Sequence, residues 1–280
     1  MRARQGNLLG CRVKMSQMAV HSPLMRVVNV NLNGIRAATT KGITRWIKRE
    51  KADVVCLQEI RAHEKDIAPV WRKLGYECFF HSAEKPGYAG VALLSRVPPA
   101  SISFNFDKQF DREGRVLTAE FEKVKILSAY FPSGTTGDVR QREKMKFLKK
   151  FLPYVCDLAK GPKEVLFCGD INIAHKNIDL KNWRSNQKHS GFLPEERKWI
   201  DKLLTCGFED VFRNVVGPDA EIYSWWSNFG NARANDVGWR IDYQFATPKL
   251  AKKAEKASIY RKKFFSDHAP VTIDYDFVLR

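Results

Sequence analysis

The residues best suited to chemistry stand at the ends of apolar runs. VLFCGDINIAH, residues 165–175, carries four apolar residues into Gly169 and then presents Asp170 and Asn172 with one residue between them. In an extended chain, side chains two apart share a face, so Asp170 and Asn172 should project together while Ile171 and Ile173 anchor the other side. A carboxylate that can take a proton, beside an amide that can hydrogen-bond an oxygen, suits phosphate-ester chemistry. Equally, Asp and Asn at such a place can cap the backbone of an ordinary turn. Repetition of the pattern adds weight. RVVNVNLNG, residues 26–34, alternates Asn29, Asn31 and Asn33, and residues 53–59 form an apolar run closed by Glu59. Residues 124–130 end in Tyr130, whose ring can pack at a strand end while its hydroxyl finds a structural partner or donates to a phosphate. GWRIDYQF, residues 238–245, alternates so as to put Arg240, Asp242 and Gln244 on one side. Asp267-His268 precedes the last apolar strand. A histidine beside a carboxylate is common without catalysis; what distinguishes this one is the wider set of Asp242, Asp170, Asn172, Glu59 and the Asn31/Asn33 pair.

These polar ends need a scaffold of short strands. Gly and Pro punctuation at Gly87, Gly90, Pro98, Pro99, Pro132 and Gly134 predicts many short strands and argues against a helical bundle. Helices are expected over residues 40–50, with Ile43, Trp46 and Ile47 on one face, and over residues 67–74. A longer one is expected over residues 139–158, with Met145, Leu148, Leu152 and Val155 inward and Pro153 distorting or dividing it. Another begins at residues 193–197. The coarse echo between VVNVNLNG and VLFCGDINIAH suits two packed sheets sending loops to one cleft.

Composition narrows the partner. The chain has 280 residues and no composition break, so one domain is expected over residues 25–280, with a basic extension at residues 1–24: an arm, a targeting segment or an upstream start before Met25. Lys plus Arg number 48 against 31 Asp plus Glu, a formal charge of +17, which favours a polyanion such as nucleic acid. Basic chains also bind acidic lipid headgroups or simply carry solvated positive faces. No apolar segment is long enough to span a membrane. The six cysteines form no CxxC or Cys/His cluster, so a zinc ribbon or finger is not supported, and a reducing intracellular setting with buried thiols at Cys56 and Cys168 is expected. Two further segments could touch a partner. Residues 175–191 intersperse Lys176, Lys181, Arg184 and Lys188 with amides, as a backbone-tracking loop or an unpartnered surface loop would. The aromatic cluster Tyr223, Trp225 and Trp226, followed by Arg233 and Asn235, could stack on a base, although core packing explains it as well.

In order and spacing, NLNGIR, LQE, GYAGVALLS, FDREGR, GDINIAH, NIDLKNW, GFLPEER, WWSN, DVGWRIDY and FSDHAP resemble the exonuclease III-like apurinic/apyrimidinic endonucleases of the endonuclease/exonuclease/phosphatase superfamily, from residue 25 to the C terminus. The resemblance implies a four-layer α/β sandwich with two central mixed β-sheets packed face to face and flanked by helices. It implies magnesium-dependent incision of duplex DNA 5′ to an abasic site, with Mn2+ as a substitute ion, possible action at DNA 3′ ends, no membrane and a monomer. Carried over, Glu59 is the main metal ligand, with Asn31, Asn33 and Asp267 assisting directly or through water. Asp170 orients or deprotonates the attacking water, Asn172 and Tyr130 contact phosphoryl oxygens, and His268, oriented by Asp242, contacts the scissile phosphate; His268 as general base is the alternative. Arg233, Trp239, Trp225, Trp226 and Asn235 shape the abasic pocket or its surroundings. Two departures stand out: Ile171 replaces a frequent Trp or Leu, and Ser133 stands where a longer amide side chain occurs. The second puts a phosphate or flanking-strand contact in doubt. The nearest competing function is a primarily exonucleolytic or 3′-phosphatase enzyme using the same metal centre; a phosphoinositide or small-molecule phosphatase and a noncatalytic nucleic-acid-binding protein are the others.

Overall fold

The computed structural model describes residues 24–279; the expectation for the basic extension, Leu24 apart, lies outside the described residues. In chain order the strands are β1 (Met25–Asn31), β2 (Val54–Gln58), β3 (Glu77–His81), β4 (Val91–Ser95), β5 (Ser101–Ser103), β6 (Val116–Glu120), β7 (Val124–Tyr130), β8 (Glu164–Asp170), β9 (Glu209–Asp210), β10 (Trp225–Trp226), β11 (Gly238–Trp239), β12 (Asp242–Ala246), β13 (Ala254–Ile259) and β14 (Val271–Tyr275). The helices are α1 (Ile35–Thr40), α2 (Ile43–Glu50), α3 (Lys108–Asp111), α4 (Asp138–Ala159), α5 (Trp183–Asn186), α6 (Pro194–Thr205), α7 (Val211–Val216) and α8 (Pro248–Ala251).

Two six-stranded sheets form the centre, ordered β13-β14-β1-β2-β4-β3 and β5-β6-β7-β8-β12-β9. Each is mixed, with one parallel pair, β1 with β2 and β7 with β8. Their inner faces meet through Val27, Val54, Cys56, Leu93, Leu117, Ile126, Leu166, Cys168 and Ile273. Outside the first sheet, Val28, Val30, Val55 and Leu57 pack on Ile43, Trp46 and Ile47 of α2; outside the second, Leu127, Phe167 and Phe245 pack on Phe147 and Phe151 of α4 and Trp199 of α6. Helices outside two sheets make the expected four-layer sandwich. Strands buried on both faces explain why the apolar runs are continuous and do not alternate.

Several local expectations change. The stretch at residues 67–74 forms no α-helix, only a 3₁₀ turn at Arg72–Leu74, with another just before it at Glu64–Asp66; Pro69 lies inside it and disfavours helical backbone at the residue before. The helix expected at residues 40–50 starts only at Ile43, as α2, after Gly42, whose φ of 89° is left-handed, and the separate helix α1 precedes it. In contrast, α4 runs unbroken through Pro153: Pro153 and Lys149, whose carbonyl loses its helical donor, both lie on the exposed face, where water replaces the missing N–H. The buried face of α4 is Lys144, Phe147, Leu148, Phe151 and Val155, with Met145 and Leu152 only partly covered. The presumed strand at residues 238–245 is two strands in different sheets. Arg240 at the break turns away from Asp242 and Gln244 and bonds Asp179 and Asp210. Finally, Cys156 at the end of α4 is disulfide-bonded to Cys206 at the end of α6, which corrects the expectation of reduced thiols throughout; the partners are 50 residues apart and only helix packing brings them together. Cys56, Cys78 and Cys168 are free, the first and last of them buried.

Candidate active site

The parallel pairs are what aim the polar strand ends. β1 and β2 run the same way in one sheet, as do β7 and β8 in the other, so Asn31, Glu59, Tyr130 and Asp170 emerge at one end of the sandwich, lining or backing a cavity of about 620 Å³. In register, Tyr130 pairs with Asp170 and Asp170 with Asp242. The two sheets touch here directly: Asn31 Nδ2 donates to Glu59 Oε2 and to Asp170 Oδ2, both at 2.8 Å. Asn33 closes a second link, its backbone N–H donating to Asn31 Oδ1 at 2.8 Å and its Nδ2 to Asp267 Oδ1 at 2.9 Å.

Asp170 and Asn172 both line the cavity, but not by strand alternation. Asn172 has φ 53°, outside the extended region, so the strand has ended; the pair is joined because Asn172 N donates to Asp170 Oδ1 at 2.9 Å and Asn172 Nδ2 to Phe131 O at 3.0 Å. Ile171 and Ile173 are buried among the α4 and α6 side chains. Gly169 is needed because a Cβ there would strike the Ala129 carbonyl on β7.

Electrostatics set Asp170 and His268 apart. Burial pushes Asp170 up to about 7; Asp242 adds to this, while His268 and the hydrogen bonds from Asn31 and Asn172 N–H oppose it. For His268, burial disfavours the cation, but the Asp242 and Asp170 carboxylates overcome it and raise the imidazole to about 10. His268 Nδ1 lies 2.9 Å from Asp242 Oδ2, which also accepts from Ser224 Oγ at 2.6 Å, and His268 Nε2 lies 3.8 Å from Asp170 Oδ2. Burial, with the Glu59 and Asp170 carboxylates, pushes the Tyr130 phenol well up, so it stays a neutral donor. The Arg115 guanidinium lies 5.1 Å from the centre of its ring.

Asp170, Asp242 and His268 form a buried cluster that could hold a divalent ion, each offering one atom within 4.8 Å of the others. Asp242 is already committed to His268 and Ser224, which favours an orienting chain for this trio. Glu59, Asp267 and Asn33 also face the cavity, beside Asp170 and His268, and offer an all-oxygen donor set that fits a hard cation such as Mg2+. Glu59 Oε1 is ion-paired with half-exposed Arg61, which sets a cation beside that carboxylate.

Of the aromatic candidates, Trp225 and Trp239 line the cavity, meeting edge to face with ring centres 6.2 Å apart. Trp225 Nε1 also donates to Asp267 Oδ2 at 3.0 Å. Trp226 does not line it: it is buried, donates to Asp236 and lies under the Arg233 guanidinium at 4.6 Å. Arg233 is held between Trp226 and Phe264, and Asn235 is exposed on the same outer loop. In the stretch at residues 175–191, Asn186, His189, Ser190 and Gly191 line the cavity while Lys176, Lys181, Arg184 and Lys188 do not. Sequence reasoning missed Arg61, Ile241 and Phe229. Phe229 is 85% exposed at the cavity rim; an aromatic between Asn228 and Gly230 in a polar loop was the available signal.

The sequence pattern of the Endonuclease/Exonuclease/phosphatase family matches residues 28–268. The chain belongs to that family. Among relatives, it is 38% identical to an exodeoxyribonuclease of Bacillus subtilis over 89% of this chain and 98% of that one. It is 36% identical to the DNA repair nuclease APEX1 of Danio rerio over 89% and 81%. An AP endonuclease structure from Archaeoglobus fulgidus superposes with TM-score 0.82 at 26% identity, covering 90% of this chain and all of that one.

Proposed function

We propose that the chain is a magnesium-dependent DNA repair endonuclease that cleaves the phosphodiester 5′ to an abasic site, leaving a 3′ hydroxyl and a 5′ deoxyribose phosphate, with subsidiary action at 3′ ends. The observation that carries this is geometric: Asp170, bridged to Glu59 through Asn31, and His268, held by Asp242, face one cavity with His268 Nε2 3.8 Å from Asp170 Oδ2. Asp170 takes the proton of the attacking water as its oxygen bonds phosphorus, the bond from phosphorus to the upstream 3′ oxygen breaks, and that oxygen takes a proton from solvent to become the 3′ hydroxyl. His268, fixed by Asp242, donates through Nε2 to a phosphoryl oxygen; being protonated at neutral pH, it is a poor candidate for the base. Asn172 Nδ2 and the Tyr130 hydroxyl donate to the remaining phosphoryl oxygens. Glu59, assisted by Asn31, Asn33 and Asp267, would hold Mg2+, with Mn2+ able to replace it. When bound, the ion supplies Lewis-acid stabilisation of the charge that grows on the phosphate and the leaving oxygen.

Trp225, Trp239 and Ile241 bound the part of the cavity that would take the extruded sugar. A missing base lowers the cost of extrusion, and the walls would exclude an intact nucleotide. The named activities of the zebrafish and archaeal relatives point the same way, whereas the Bacillus relative's name favours a second reading, mainly 3′-end degradation. Product-resolved cleavage distinguishes them: duplexes carrying one internal abasic site, an intact end or a 3′ phosphate are compared with and without Mg2+. Internal incision should dominate and require the ion; faster reaction at intact ends would overturn the assignment.

A further inference from the structure

Helix α4 carries a lysine where its packed face should be apolar. Lys144 is fully buried, and its Nζ lies 2.6 Å from Glu196 Oε1, itself fully buried at the third position of α6. Glu196 alone has an ordinary explanation, because a glutamate there caps the preceding backbone, and it does accept from Leu193 N at 3.1 Å. That leaves Lys144 unexplained. Buried ion pairs are commonly replaceable by apolar side chains without loss of stability, so packing does not call for one. Burial drives Lys144 toward the neutral amine while Glu196 and Asp170 hold its proton.

Apart from Gln141 of α4, the pair's remaining partners are lining residues of the cavity. Lys144 Nζ donates to the Asn172 carbonyl at 2.8 Å, at the residue whose backbone is left-handed. Glu196 Oε2 accepts from Gly191 N at 2.6 Å, and Oε1 accepts from Ser190 Oγ at 3.2 Å and Gln141 Nε2 at 3.0 Å. The Gln141 side chain packs so closely on Gly134 that a Cβ there would clash, and Gly134 separates the lining residues Ser133 and Thr135. Ala174 N donates to Gly191 O at 2.8 Å, tying two of the loops to each other. Three wall segments from separate parts of the chain thus converge on one buried ion pair.

We propose that Lys144 and Glu196 are positioning residues, a buried ionic strut that sets Asn172, the loop at residues 189–191 and the loop at residues 133–135 in register around the reacting phosphate. The inference rests on the proposed hydrolytic function of the cavity. Neither residue touches substrate; both act through the Asn172 and Gly191 peptides. Losing the ammonium frees the Asn172 peptide to rotate, so turnover should suffer more than binding.

The test compares wild type, Lys144→Met and the double variant Lys144→Met/Glu196→Gln, which leaves no lone buried charge. Amide hydrogen exchange at Asn172, Ala174 and Gly191 is read beside steady-state cleavage of an abasic duplex in Mg2+. In both variants exchange at these amides should quicken by about tenfold while β7 amides stay protected. The turnover number kcat should fall about 10–100-fold, with KM changed less than about threefold. The double variant should regain thermal stability yet neither kcat nor protection. Wild-type kcat and protection in the double variant would overturn the strut, even if the single variant fails to fold. Exchange reads the loops whether or not the duplex is cut: an inert wild type with loosened loops in the variants overturns the proposed function and supports the strut, while an active wild type with unchanged loops and kcat in the variants overturns the strut alone.

Discussion

Asp170 faces two opposed demands, since it must be ionised to take a proton and yet basic enough to want one. Its position satisfies both, because burial lifts it to about 7 while Asn31, the Asn172 N–H and His268 keep the anion accessible. A cation at Glu59, close behind Asn31, would pull this value down. We therefore expect kcat/KM to rise with pH through the neutral range or just below it, where Asp170 loses its proton. Asp170→Asn should remove that rising limb and cost about 10²–10⁴-fold in rate, with abasic-duplex binding retained. A pH–rate profile of both proteins checks this, and an unchanged limb in the variant would assign the base elsewhere. Most of these residues were legible as types at strand ends. Illegible was Arg61, whose relevance depends on reaching Glu59 across one residue with both backbones left-handed; Phe229 left only a faint signal, an aromatic in a polar loop whose course no periodicity encodes.

Two long-range links hold the elements that carry the site. The Cys156–Cys206 disulfide joins the ends of α4 and α6 and closes a loop of separation 50. Its loss through Cys206→Ser should cost roughly 2–4 kcal/mol of stability, read as a lower midpoint in urea, while cleavage at 25 °C stays intact because neither cysteine lines the cavity. The second is the buried cluster in which Asp179 accepts from Arg240 Nε at 2.7 Å and also pairs with Arg213, while Arg240 Nη2 reaches Asp210 at 2.6 Å. Burial opposes the Asp179 charge, but Arg240 and then Arg213 outweigh it and lower the carboxyl from 3.8 to about 2. A depressed carboxyl contributes stability that is fully present above its unfolded value and lost as pH falls through the folded one. Asp179 should thus contribute about 2 kcal/mol above pH 4, fading between about pH 4 and 2. Asp179→Asn should destabilise the protein at neutral pH and flatten this acid limb in denaturation curves; a limb of unchanged slope would contradict it. The basic stretch at residues 175–191 looked like a partner-tracking loop. Asp179 and Leu180 within it are core, and their roles depend on Arg240 and Trp239, some sixty residues on.

For the whole molecule, a formal charge of +17 should make association with a polyanion strongly dependent on salt. Abasic-duplex affinity is expected to fall at least about tenfold between roughly 50 and 200 mM salt. Binding titrations check this, and a flat response would argue against a nucleic-acid partner. Among the described residues no helix is long and apolar enough to cross a membrane. By itself the sequence determined that short buried strands end in carboxylates, amides, a phenol and an imidazole, because burial on both faces leaves continuous apolar runs and strand ends leave polar punctuation. Those signals are local and survive in one dimension. Only the tertiary structure decided that Asn31 bridges Glu59 to Asp170 and that Trp225 and Trp239 reach the cavity while Trp226 does not. It alone also showed that Lys144 is interior and that Cys156 meets Cys206. Each of these depends on which strands run parallel, how two sheets face one another and where a helix end lands, and such distances are set by packing between segments far apart in the chain.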